Sequence, residues 1–126
     1  MKEILVEKNE EDELPIPHIW RAKFRQIVSS FVEKDYKISE KIDLVNTVSG
    51  DTAQQIQEYI KDYGEVIVEL LEETWNTSVY MWYEGYWNVY VDLFTESEGL
   101  SDLVLNVEVR ERDDQYEFEI KLVFVP

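Results

Sequence analysis

The side chains able to do chemistry in this chain are few in kind. His18 is the only histidine, lodged between Pro17 and Ile19, with no second histidine to join it as ligand or catalytic partner. Cysteine is absent, which excludes disulfides, thiolate metal sites, iron–sulfur ligation and a cysteine nucleophile. Four glycines leave little room for a phosphate-cradling loop, and no nucleophile-elbow motif accompanies the serines. The acids show no EF-hand-like spacing, so no metal and no cofactor are expected.

What remains is carboxylate, 28 Asp and Glu against 12 Lys and Arg. Asp92, Glu108 and Glu119 fall on one face of neighbouring candidate strands, and a carboxyl pair roughly 5–10 Å apart can hydrolyse glycosides. That chemistry needs one carboxyl desolvated so that its pKa rises. An open sheet face in water supplies no such shift, and the chain is not expected to be an enzyme.

Aromatic side chains are the other concentration. Trp75, Tyr80, Trp82, Tyr83, Tyr86, Trp87 and Tyr90 place seven rings within sixteen residues. They occupy both parities of two candidate strands, so they cannot all face one core. Tyrosine and tryptophan dominate binding hot spots, and an acidic surround steers a cationic partner. Either the surplus rings form an interface or another element covers them.

The net charge of −16 and a pI near 4.3 oppose binding to nucleic acid or anionic membranes and favour basic partners. An apolar content of 44% nevertheless keeps the chain out of the disordered class. No apolar run approaches the roughly 18–20 residues that a membrane span requires. Residues 1–7 lack the apolar core of a secretory signal, so a cytoplasmic location is expected.

Residues 1–14 hold six acids and two lysines and are expected to form an acidic flexible tail, with Ile4-Leu5-Val6 the alternative of a short edge strand. Residues 15–126 make one domain. Trp20, Phe24, Ile27, Val28 and Phe31 recur at spacings of three and four, predicting a helix from His18 to about Lys34. Its other side carries Arg21, Lys23 and Arg25, either solvated or paired with the surplus acids. A second helix is expected to start at Asp51, capped by a box with Gln54, to carry the stripe Ile56, Tyr59, Ile60 and Tyr63, and to stop at Gly64.

After Glu73 the period changes to two, predicting strands at Trp75–Tyr83, Tyr86–Thr95, Asp102–Arg112 and Tyr116–Val125. A two-residue turn at Asp113-Asp114 pairs Val109 with Phe118, Val107 with Ile120, Leu105 with Leu122 and Leu103 with Phe124, all on one face. The opposite face pairs Arg110 with Glu117, Glu108 with Glu119 and Asn106 with Lys121. Trp87, Val89, Val91 and Leu93 form the matching core row, with Tyr86, Asn88, Tyr90, Asp92 and Phe94 behind it. For the first strand, a two-residue Glu84-Gly85 turn puts Tyr80 and Trp82 inside and Val79, Met81 and Tyr83 outside; a three-residue turn exchanges the two sets. The fold class is α+β, two N-terminal helices packed on a four-stranded antiparallel meander.

The run ETWNTSVYMWYEGYWNVYVDLFTESEGLSDLVLNVEV, closing on YEFEIKLVFVP, resembles a family of small uncharacterised bacterial proteins. The likeness extends more weakly to PHIWRAKF and DTAQQIQEYIKDYGE, over roughly residues 15–126. In composition the chain also resembles the immunity proteins of contact-dependent and polymorphic toxin systems. That resemblance implies a cytoplasmic inhibitor of a basic toxin domain such as a nuclease, acting as a monomer or weak homodimer. Tyr86 and Tyr90 are the expected anchors, with Asp92, Glu108, Glu117 and Glu119 steering the partner. The alternative is a self-associating structural or regulatory protein using the same face.

Overall fold

A computed structural model describes residues 6–126 of the chain. Helix α1 spans His18–Val32 and buries Trp20, Phe24, Ile27, Val28 and Phe31, the five residues whose spacing predicts it. Its three cations are each committed within the molecule. Arg21 donates twice to the Ile16 carbonyl (3.1 and 3.0 Å), Lys23 to the Asp43 carbonyl (2.6 Å), and Arg25 bonds Glu72.

Helix α2 spans Gly50–Tyr63, and its cap lies two residues before the expected one. The Ser49 hydroxyl, not Asp51, accepts from the Thr52 N–H (3.2 Å). Gly64 ends the helix in the left-handed region, φ 84°, where a β-carbon would be strained. The buried stripe is Ala53, Ile56 and Ile60, while Tyr59 and Tyr63 lie at its margin and use their hydroxyls. The Tyr59 hydroxyl accepts from the Val125 N–H (3.3 Å), and that of Tyr63 from the Asp102 N–H (3.2 Å).

The sheet is antiparallel and has six strands rather than four. Two are short: β1, Leu14–Pro15, precedes both helices, and β2, Ile67–Val68, pairs with the end of β4. The long strands are β3 (Val79–Tyr83), β4 (Tyr86–Thr95), β5 (Gly99–Arg112) and β6 (Gln115–Phe124), in the order β1-β3-β4-β5-β6. Strand β3 starts later than its alternation suggests because Glu72–Asn76 form a 3₁₀ turn. Thr74 pins that turn: its hydroxyl donates to the Asp92 carbonyl (2.7 Å) and contacts the Ser78 hydroxyl (2.9 Å).

Both tight turns have two residues, so Tyr83 pairs with Tyr86 and Arg112 with Gln115. Trp82 and Tyr80 accordingly join the inner row, and Met81 and Tyr83 the outer one. The last hairpin follows the expected register through Val107–Ile120 and then departs from it. A bulge at Lys121 lets Asn106 pair with Leu122, Leu105 with Val123 and Val104 with Phe124. Val123 therefore enters the core, while Leu122 and Phe124 turn outward. Near the other end, a shift between Asp92 and Phe94 leaves Phe94 buried in the core cluster instead of on the outer row.

Trp20 sits at the centre of the inner layer, edge-on to Tyr80, Trp87, Tyr116 and Phe118 at centroid distances of 5.3–6.2 Å. The expected tail is docked from Val6 onward. Val6 is buried, the Glu7 carbonyl accepts from the Trp87 indole N–H (2.8 Å), and the Asn9 carbonyl accepts from the Trp82 N–H (3.1 Å). The candidate edge strand at Ile4-Leu5-Val6 begins outside the described residues. At the far edge, Val45 bridges β6 in parallel at Phe118 and covers its open backbone groups.

Candidate protein-docking face

Both helices pack on the inner side of the sheet, within one core cluster. The outer side is built by alternation from Met81 and Tyr83 of β3, Tyr86, Asn88, Tyr90 and Asp92 of β4, Glu108 and Arg110 of β5, and Glu117, Glu119 and Lys121 of β6. Its polar contacts run within the sheet, apart from Asn46 reaching Glu117 from the edge (3.4 Å). All six expected site residues, Tyr86, Tyr90, Asp92, Glu108, Glu117 and Glu119, lie on this face and are half-buried.

Tyr83 and Tyr86 stand opposite one another in register, and Tyr90 lies further along β4 on the same face, beyond Asn88. Tyr83, 54% exposed, meets Tyr86 edge-on at 5.9 Å, and the Arg110 guanidinium lies 5.1 Å from the Tyr86 ring centroid. Desolvation, reinforced by the Glu108 charge, raises the Tyr86 hydroxyl above the ordinary tyrosine value. The Tyr90 hydroxyl accepts from Asn88 (2.8 Å), and its ring meets Phe124 at 6.3 Å. Beneath them Asn106 is buried and donates to the Asn88 side chain (2.6 Å) and the Val89 carbonyl (3.1 Å).

The ion pairs on this face differ from the expected pairing of Arg110 with Glu117. Arg110 bonds Glu108 (2.7 Å) and Glu119 (3.3 Å), Arg112 pairs with Glu117 (3.2 Å), and Lys121 lies 3.8 Å from Glu119. Burial works to lower the Arg110 pKa, and the carboxylates of Glu108 and Glu119 outweigh it, holding the guanidinium above its ordinary value. Residues 75–126 contain only three basic side chains, Arg110, Arg112 and Lys121, and all three are spent here. Asp92 is the exception, with no ion pair among the described residues. Acids with no ion pair among the described residues rim the face, with Glu84, Asp113 and Asp114 at the two tight turns of one end and Glu96 at the other. All four are exposed.

Alternation thus assigned the tyrosines and acids to one face, but not Phe124, which the bulge delivers there, nor the local pairing of charge. His18 is exposed at the first turn of α1 and contributes nothing to this face. Among the described residues no group of three metal-ligating side chains converges, and no helix is long and apolar enough to cross a membrane.

Residues 28–126 match the model of a protein family described as a domain of unknown function, DUF7668. The match covers most of the chain, and the protein belongs to that family. It leaves PHIWRAKF, where α1 begins, outside its bounds. No curated protein and no solved structure matches the chain.

Proposed function

We propose that this protein is a non-catalytic binding domain of the immunity type, which neutralises a basic protein partner by seating it on the outer sheet face. The observation that carries this reading is the set of tyrosines Tyr83, Tyr86 and Tyr90 on a sheet face that neither helix covers. Rings held half-buried lose little side-chain freedom on docking and supply large contact area. The internally paired charges around them lower the cost of burying the centre, whereas free carboxylates there would each need desolvation. Steering falls to the rim acids Glu84, Asp113 and Asp114 and to the net charge of −16, which favours a basic occupant over a second copy of the chain.

The test is capture from the native host followed by toxicity assay. A basic protein retained near one to one should be toxic when expressed alone and harmless when co-expressed with this chain. The double substitution Tyr86→Ala, Tyr90→Ala should abolish both retention and protection while the circular dichroism spectrum is unchanged. Retention unaffected by that substitution moves the site elsewhere, and a retained protein with no toxicity sinks the immunity reading. A second reading is self-association, favoured by the near-balanced alternation of acid and base on the face, which is self-complementary about a two-fold axis. Light scattering that shows a dimer dissolved by the same double substitution would select it.

A further inference from the structure

Away from the outer face, a cleft of about 620 Å³ lies between the loop that follows α1 and the exposed side of α2. That volume falls in the range of roughly 300–1,000 Å³ typical of small-molecule sites. Lys34, Lys37 and Lys61 line it, and none of the three makes an ion pair among the described residues. The wall also holds two carboxylates, each with hydrogen-bond donors of its own. Asp35 accepts the backbone N–H groups of Glu40 (2.9 Å) and Ser39 (3.0 Å), which hold its carboxyl below the ordinary value. Glu58 accepts from the Gln54 amide (3.0 Å).

Acids outnumber bases by more than two to one in this chain, and the cations of α1 and β5 are consumed by internal partners. Three lysines left unpaired around one concavity are therefore the local exception. Lys34 is also held in the left-handed region, φ 64°, at the end of α1, where glycine is the ordinary occupant. An adjoining cavity of about 430 Å³ shares Lys34, Tyr36 and Lys61 and adds the apolar side chains Phe31, Ile60 and Val66. Phe31 and Tyr36 meet there, ring centroids 5.7 Å apart.

We propose that this cleft binds a small organic phosphate, its head among Lys34, Lys37 and Lys61 and its planar or apolar body against Tyr36 and Phe31. Three ammonium groups match the two or more charges of a phosphate better than the single charge of a carboxylate. The neighbouring apolar lobe favours an organic body over an inorganic ion. The site shares no residue with the docking face, so either can fail alone.

Calorimetry on the full chain at low salt, without divalent cations, tests this with ADP, inorganic pyrophosphate and adenosine as probes. ADP should bind saturably at one to one, and each of the other two at least about tenfold more weakly. The double substitution Lys34→Gln, Lys61→Gln should weaken ADP by at least about tenfold, with an unchanged melting temperature. Lys41→Gln, outside the cleft, should leave ADP binding intact. No saturable ADP binding overturns the proposal, as does equal weakening by Lys41→Gln or indifference to the cleft pair. Pyrophosphate as tight as ADP would overturn the organic body, and adenosine as tight as ADP the phosphate.

Discussion

One sheet presents two faces made from the same strands with the same period, and they are held together by different physics. On the inner face Trp20 meets four aromatic rings edge-on, and the surrounding valines and leucines are excluded from water. Burial and dispersion dominate there, and close packing makes each side chain costly to shorten. On the outer face tyrosines alternate with ion pairs that remain partly hydrated. Exposed ion pairs contribute little each, so that face can be altered without unfolding the chain. The contrast separates what makes the fold from what is free to be selected for recognition.

The largest effect should follow from Trp20→Ala, which empties the centre of the inner layer. Urea denaturation should show a loss of about 3–5 kcal/mol, and a loss under 1 kcal/mol would mean that the inner face is not the principal source of stability. Asn106→Ala tests the boundary between the faces, because Asn106 is buried on the outer side and satisfies Asn88 and the Val89 carbonyl. A cost of about 1–3 kcal/mol is expected from the groups left unpaired. Arg110→Ala should be mildest, below about 1 kcal/mol and shrinking further in 1 M salt, since the side chain is 42% exposed. A larger, salt-insensitive loss would break the distinction between the faces.

Much of the inner face was legible in advance. The five buried positions of α1 follow from spacing alone, and the Asp113-Asp114 turn fixes the last hairpin as far as Ile120. Beyond it the sequence Lys121-Leu122-Val123-Phe124 is apolar at both parities after the lysine, so a one-residue bulge leaves no trace in the pattern. The cap of α2 is displaced from the position that the pattern marks. Asp51 with Gln54 satisfies the capping-box pattern, yet the backbone enters the helix earlier and Ser49 takes the cap.

The docked amino-terminal segment was invisible in another way. Its acids read as a solvated run, while two of its attachments use the carbonyls of Glu7 and Asn9, which no side-chain pattern reports, and Lys8 pairs with the distant Glu111. The pairing of charge on the outer face could have been inferred more fully. Arg110 and Lys121 share the parity of Glu108 and Glu119, although the guanidinium reaches diagonally to Glu119 rather than across to Glu117, its partner in register.

The strap formed by residues 6–9 also has a consequence in time. Its bond to Trp87 spans 80 residues, and Lys8 reaches as far as Glu111 (3.0 Å). Contacts so distant along the chain close late, because the loop between them must first be ordered. The strap therefore docks only once β4 and β5 are in place to receive it. Its docking thus reports that β3, β4 and β5 have come together.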